Sequence, residues 1–269
     1  MSKFFCSLLL LATSAGCKAS WDELEFTGYL AAGMGYQQNI LAPLDRTING
    51  KPLLNLSADL HYRNFFIESD DRRNVLRYGS GTLGYQLWHN DAGTLALIGT
   101  SYHEAVGPDL ETGLGRVHIP EFEGLTLRDS DFSVGLRYQY FRQDHYFALE
   151  LGQEIESHYG QQLRLLYSYR QMLRNWDLYY NAGLAFSSAR LVNYYYGVRN
   201  SETALMRPVY TAGAGQQLHL GLSAVYPLAP DWLLELGIAV NGFSSAYTDS
   251  PLVSRDIGFQ SQMKFSYVF

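Results

Sequence analysis

The chain has 269 residues and a formal net charge of -6; 17% of its residues are charged and 14% are aromatic. This balance excludes a disordered chain, which would be poor in aromatic residues, and argues against nucleic-acid binding, which needs a basic surface. Two cysteines are present, both near the N-terminus, so a disulfide scaffold is excluded as well.

The N-terminal 19 residues have the pattern of a secretory signal sequence. Lys3 gives a positive start, residues 4–12 form an apolar run too short to span a bilayer, and small residues follow. Cleavage after Ala19 would leave residues 20–269, which we expect to form one domain. Alternatively, the four residues that end at Cys17 resemble a lipobox, in which Cys17 would become a lipidated N-terminus.

Beyond the signal, apolar residues recur with a period of two, as in β-strands. Leu54, Leu56, Ala58 and Leu60 alternate with polar residues, for example. Eleven segments show this pattern clearly, whereas single-chain bacterial barrels have even strand numbers. The alternation of short turns and long links breaks only before residue 79, and a short twelfth strand at 64–69 restores it. Ten strands remain the alternative, if the short hairpin lies outside the membrane. The predicted strands are 24–36, 53–61, 64–69, 79–89, 94–104, 131–141, 145–154, 162–170, 175–186, 216–227, 231–242 and 257–269.

Two details favour an all-β, antiparallel transmembrane barrel over a soluble sandwich. Most apolar faces begin or end in Tyr, Trp or Phe, as in the aromatic girdles of membrane barrels, and the opposite faces are small and polar. Short and long connections also alternate along the chain. The short turns would be periplasmic, and the long links at 105–130, 187–215 and 243–256 would be external.

Charged residues of both signs fall on the faces that would point into the barrel. Mixed signs predict lateral ion pairs that fill a narrow lumen, although a twelve-stranded barrel could also conduct small solutes. The predicted inward charges are Asp59, Arg137, Glu150, Arg164, Arg170, Asp177 and Glu235.

The residues that could carry chemistry form no convincing catalytic, cofactor or metal site. His219 and Ser223 share one strand face with Glu235 on the next strand, but residues four apart on a strand are separated by about 13 Å, too far for a nucleophile and its base. We expect these residues to pair across strands in the lumen. The acidic pairs Asp70 and Asp71, Asp129 and Asp131, and Glu154 and Glu156 are expected to be solvated loop charges.

The last strand carries a more specific signal. Phe265, Tyr267 and the terminal Phe269 share its apolar face. This arrangement resembles the insertion signal of bacterial outer-membrane barrels, which implies recognition by the barrel-insertion machinery.

Two stretches resemble segments of the MipA/OmpV family of outer-membrane proteins. The first combines a Tyr-Tyr-Gly-Val run with a nearby Glu and an Arg-Pro-x-Tyr continuation, and the second is an Asp-Ser-Pro-Leu-Val loop before the last strand. The motif residues singled out are Tyr195, Tyr196, Gly197, Val198, Glu202, Ser250 and Pro251.

The resemblance implies an outer-membrane barrel among lipid and lipopolysaccharide, with no catalytic residues to carry over. It further implies a scaffold that joins a murein lytic transglycosylase to a bifunctional penicillin-binding protein; other members are described as porin-like, so a passive channel is the alternative. Because the motif falls in links predicted to be external, we expect it to brace the barrel mouth rather than to contact periplasmic partners.

Overall fold

The computed structural model describes residues 24–47, 49–68, 81–112 and 115–269. The predicted signal sequence with Cys17, and the pair Asp70 and Asp71, lie outside the described residues. Within the described part, no helix is both long and apolar enough to cross a membrane.

Twelve antiparallel strands close into a single barrel, in which each strand pairs with its neighbours along the chain and the last pairs with the first. The prediction of twelve strands is confirmed, and the alternative of ten is wrong. The barrel strands are β1 (Leu24–Gln38), β2 (Pro52–Tyr62), β3 (Phe65–Glu68), β4 (Thr82–Asn90), β5 (Gly93–Thr100), β8 (Ser133–Arg142), β9 (His145–Glu154), β10 (Gln161–Leu173), β11 (Trp176–Ser187), β12 (Gly215–Ala229), β13 (Trp232–Phe243) and β14 (Ile257–Val268).

The remaining elements belong to the links between barrel strands. Besides short 3-10 helices, they are the hairpin of β6 (Asp109–Thr112) and β7 (Gly115–His118) and the helices α1 (Ala189–Tyr196) and α2 (Ser245–Thr248). Sequence periodicity predicts none of these four elements, because they are too short to show a period.

One end of the barrel consists of five two-residue turns, which we call the turn rim. The turns are Arg63–Asn64, Asp91–Ala92, Gln143–Asp144, Arg174–Asn175 and Pro230–Asp231. Arg63, Gln143 and Arg174 adopt φ between 51° and 55°, the left-handed region that tight hairpin turns favour. At the opposite end, the described residues of the links 39–51, 101–132, 155–160, 188–214 and 244–256 fold together into what we call the loop cap.

The outer wall of the barrel is apolar and exposed, as a lipid-facing surface requires. Leu54 and Leu56 are 70% and 74% exposed. Near the turn rim, aromatic rings pair between strands, with centroids 4.9 Å apart for Trp176 and Tyr226 and 5.2 Å for Trp232 and Tyr267. These pairs form the aromatic girdle that the sequence predicts.

The three residues of the predicted insertion signal lie where the barrel closes. The Phe269 backbone exchanges two hydrogen bonds with Gly28 of β1, at 2.9 and 3.0 Å. Its ring covers Gly28, where a Cβ would come within 2.5 Å of the ring. Tyr267 stacks on Phe269, and Phe265 is exposed on the outer wall. A recognition role for these residues stays a prediction.

Candidate functional site

A ladder of ion pairs crosses one side of the lumen. Arg137 of β8 bonds Glu68 of β3 at 2.7 Å and approaches Glu150 of β9 at 3.9 Å, and Glu150 in turn approaches Arg164 of β10 at 3.8 Å. Around the wall, Lys264 of β14 pairs with Glu235 of β13 at 3.2 Å. The prediction that inward charges pair laterally is confirmed.

These charged side chains are buried although they line the inside of a barrel. Arg137 is 7%, Glu235 6% and Lys264 5% exposed. Ions removed from water are stable only when they are paired and hydrogen-bonded. These three side chains are therefore packed against the protein rather than exposed in an open pore.

Arg170 and Asp177, also predicted to face inward, pair at 2.8 Å towards the turn rim. Asp59 shares the inward face of β2, opposite Thr27 of β1. Sequence reasoning did not find Glu68, because four residues of β3 are too few to fix a register from periodicity alone.

Tyr102 reaches from the loop cap into the lumen and joins the ladder. Its hydroxyl donates to Glu150 at 3.2 Å, and the Arg164 guanidinium lies 4.6 Å from its ring centroid. Gly152 makes room for the ring, because a Cβ there would lie 2.9 Å from Tyr102 Cε2. One loop is thereby attached to the wall of the lumen.

Asp131, two residues before β8, holds Tyr102 in place. Its Oδ1 accepts the backbone N–H groups of Tyr102 and His103 at 2.7 and 2.8 Å, and its Oδ2 bonds His103 Nδ1 at 3.0 Å. Burial alone would raise the pKa of Asp131, but these bonds and the His103 ring lower it. The expectation of a solvated Asp131 is wrong, since the carboxylate is buried as an acceptor. The same bonds end β5 at Thr100, short of the predicted 104.

The loop cap has a hydrophobic core of its own. Helix α1 contributes Leu191, Val192 and Tyr195, and the Tyr195 ring stacks on His103 at 4.8 Å. Four of the five links contribute buried apolar side chains to this core, and 155–160 does not. Its members are Ile40, Leu41, Val106, Leu110, Ile119, Phe122, Leu125, Leu191, Val192, Tyr195, Val198, Ala212, Tyr247 and Leu252.

A buried ion pair ties two of these links together. Arg128 Nη2 bonds Glu202 Oε2 at 2.9 Å, with side chains 4% and 1% exposed. Arg128 also donates to the carbonyls of Tyr194 and Gly197 at 2.8 Å each. Glu202 accepts the N–H groups of Thr126 and Arg199 at 3.0 Å each. Burial would raise the pKa of Glu202, but these N–H groups and the Arg128 charge lower it to about 2.

The second motif segment meets the first in the same cap. Ser250 Oγ donates to the Tyr196 carbonyl at 2.6 Å, and Pro251 follows in the turn after α2. The Tyr196 and Tyr247 rings pack edge to face at 4.9 Å. At Gly197, a Cβ would lie 2.3 Å from the Asn193 carbonyl oxygen, so α1 can end here only at glycine.

Comparison with protein-family models identifies the family of this barrel. Residues 30–269 match the family described as "MltA-interacting protein MipA". The chain belongs to this family. Among curated proteins, it is 34% identical over 77 residues to outer membrane protein OmpV of Vibrio cholerae and 32% identical over 77 residues to outer membrane protein Omp26La of Vibrio anguillarum.

Each of these two alignments covers 29% of this chain and 30% of the relative, so the chain spans less than a third of the curated relatives it matches. Among solved structures, the in-vitro folded OmpT, an outer membrane protein of Vibrio cholerae, is 8% identical, with a TM-score of 0.40, 91% of this chain and 97% of that chain being covered.

This MipA-family barrel is an outer-membrane protein. Because barrels of that membrane have short periplasmic turns and long outer loops, the turn rim is periplasmic and the loop cap is external. Six of the family-motif residues make contacts within the loop cap, and their bracing of the mouth stays a prediction; they are Tyr195, Tyr196, Gly197, Val198, Glu202 and Ser250.

The link 155–160 wraps around an acidic residue, Glu154, at the end of β9. Glu154 accepts four backbone N–H groups, from residues 156 to 159, at 2.6 to 2.7 Å. The expectation of a solvated Glu154 is wrong, because its side chain is 1% exposed. Glu156 and Asp129, by contrast, are exposed as expected. His158 lies beside Glu154 and packs against the rings of the α1 tyrosines.

His219, Ser223 and Glu235, the residues considered for catalysis, each have other neighbours in this structure. His219 Nδ1 bonds Asn241 Oδ1 at 2.8 Å across β12 and β13, whereas Glu235 is committed to Lys264. Ser223 lies opposite Tyr179 and Gly237 in the register. Among the described residues, no group of three or more His, Cys, Asp or Glu side chains is placed to hold a metal ion.

Proposed function

We propose that this chain is a scaffold of the outer membrane that binds murein-remodelling enzymes, a lytic transglycosylase first and a bifunctional penicillin-binding protein with it. The family description as an MltA-interacting protein supports a binding role. The burial of paired charges inside the barrel supports binding over conduction, and it is the observation that carries the proposal.

Two obstacles to solute lie in series in the described structure. The ladder of Glu68, Arg137, Glu150 and Arg164 occupies the lumen, and the cap core covers the external end. A passive porin needs a continuous water-filled path. Opening one through the ladder would require breaking its ion pairs, and the buried Arg137 would then lose its counter-charges, which is costly.

The partner surface in this proposal is the turn rim. Two-residue turns form a nearly flat ring, so a partner would dock on side chains at the strand ends rather than in a cleft. Arg142 and Arg174 are exposed there on neighbouring hairpins. Exposed charges at an interface mainly steer association and fix orientation.

A pull-down with purified lytic transglycosylase tests the proposal. The folded barrel is immobilised in detergent at about 0.15 M salt, where long-range surface electrostatics are largely screened. We expect retention by the parent chain and a loss of at least tenfold with Arg142→Glu plus Arg174→Glu. The matched control is Arg190→Glu, since Arg190 is exposed on α1 in the loop cap. No retention by a folded parent, or equal losses in rim and cap variants, would contradict the proposal.

A measurement of planar-bilayer conductance tests the alternative that the barrel is a passive channel. We expect the parent chain to insert without steady open-channel current. A stable ohmic current that increases when Arg137→Ala removes the arginine bound to Glu68 and Glu150 would favour the porin-like function instead.

A further inference from the structure

A groove of about 310 Å³ lies where β9, β10, β11 and β12 reach the loop cap. Leu151, Leu163 and Phe186 form its apolar floor, in one cross-strand row. Their side chains share the outer face of the wall, since Leu151 is 53% and Phe186 39% exposed. The groove thus opens towards lipid rather than towards the lumen.

The groove is continuous with the membrane-facing wall. The next row towards the middle of the barrel consists of Leu149, Leu165, Leu184 and Leu218, which are paired in register. Four leucines in succession leave no polar group between the groove and the apolar band. Anything that lies in the groove can therefore extend into the hydrocarbon region.

The cap side of the groove is polar but uncharged. Exposed Gln161 and Gln216 flank it, and Ser188 Oγ accepts the Gln161 N–H at 2.9 Å. Ala214 and Gly215 have small or no side chains, so the wall stays open beside Phe186. No residue that lines the groove carries a charge. Neutral amides and a hydroxyl match ester, amide and hydroxyl groups rather than a phosphate.

We propose that this groove is a binding site for one acyl chain of an outer-leaflet glycolipid. The chain would lie on Leu151, Leu163 and Phe186, with its ester or amide linkage beside Gln161 and Gln216. The position next to the external loop cap assigns the site to the outer leaflet. Because lipid tails are as apolar as leucine, the attraction comes from close packing of the chain in a preformed groove and from the polar contacts of its linkage, not from removal of the chain from water.

Quenching by brominated lipid tests this site. Phe186→Trp places a fluorophore in the groove, and Leu97→Trp places one on β5, where Leu97 is 45% exposed to lipid outside the groove. Each variant is refolded into vesicles of brominated phosphatidylcholine, and the native tryptophan signal of the parent is subtracted. Unbrominated lipid A is then added at a few mole per cent.

We expect lipid A to restore at least twice as much fluorescence for Phe186→Trp as for Leu97→Trp. Adding Gln161→Ala and Gln216→Ala to Phe186→Trp should abolish that difference. If Phe186→Trp does not fold, Leu163→Trp probes the same row. Equal recovery at both positions would overturn the site. Equal recovery with unbrominated phosphatidylethanolamine would overturn the choice of a glycolipid.

Discussion

The substitution Glu202→Gln tests whether one buried carboxylate holds the loop cap closed. Three donors converge on its two oxygens: the N–H of Thr126 on Oε1, and the N–H of Arg199 with Arg128 Nη2 on Oε2. Glutamine has the same shape but a single acceptor oxygen. Its NH2 group would face one of these donors, and the Arg128 charge would lose its counter-ion in a site where both side chains are almost fully buried.

The expected cost is about 3–5 kcal/mol, as for the removal of one partner from a buried ion pair. An orphaned buried N–H alone would account for about 1–3 kcal/mol of this. The links at 101–132 and 188–214 meet at this pair, so the cap should open locally while the barrel stays closed. The cost is therefore expected in the local opening free energy of α1.

Amide hydrogen exchange measures that free energy residue by residue. The Val192 and Gly197 N–H groups, bonded to the Ser188 and Asn193 carbonyls, should exchange roughly 10²- to 10⁴-fold faster in Glu202→Gln. Amides of β12 and β13 should keep the parent rate. The control Glu121→Gln removes an exposed ion pair with Arg46, which contributes little because solvent screens it. Acceleration below tenfold in Glu202→Gln, or equal acceleration in the control, would refute the reasoning.

Three further outcomes are expected. Acid should open the cap in two stages. Burial lowers the pKa of His158, although the charges of Glu154 and Asp131 oppose this, so the stability that neutral His158 contributes is lost as the pH falls below about 6.5. The stability that ionised Glu202 contributes is lost as the pH falls from about 4.5 to about 2. Cap amide exchange, corrected for intrinsic rates, should rise in both ranges, and His158→Gln should remove the first rise; exchange that is flat with pH would contradict this.

Gly33→Ala should lower the temperature of the heat-induced gel shift, because the new Cβ would lie 2.0 Å from the Met263 carbonyl oxygen. Gly242→Ala is the control, since no atom lies within 4 Å of a Cβ there, and it should leave that temperature unchanged. Equal shifts in the two variants would contradict the packing argument. Phe269→Ala should reduce the folded fraction in the outer membrane more than Phe259→Ala at the other end of β14. Equal yields would argue against a terminal insertion signal.

The strands of this barrel could be predicted from the sequence because a period of two is a local signal. Each barrel strand needs only apolar residues outside and small or polar residues inside, and β11 or β13 shows both over 12 residues. The lateral ion pairs follow from the same alternation once the strands are aligned. The short β3 could be predicted only from the alternation of turns and links.

The loop cap could not be predicted in the same way. Its stability comes from contacts between residues far apart in the chain, such as Thr126 with Glu202 or Tyr196 with Ser250. Neither periodicity nor spacing encodes such pairs, so Asp131 and Glu154 resembled ordinary loop charges. The recognisable Tyr-Tyr-Gly-Val run was the usable signal, since three consecutive tyrosines in a link indicate a packed segment.

The location of the motif separates closure of the barrel mouth from binding of murein enzymes, two properties that the family resemblance joins. Its residues are occupied inside the external cap, where Glu202 holds Arg128 and Ser250 holds the Tyr196 carbonyl. A periplasmic partner cannot reach them across the membrane. The motif therefore identifies how the mouth is closed, and any binding of murein enzymes must depend on the turn rim. Variants of the cap and of the rim should accordingly affect different measurements: amide exchange of α1 for the cap, and enzyme retention for the rim.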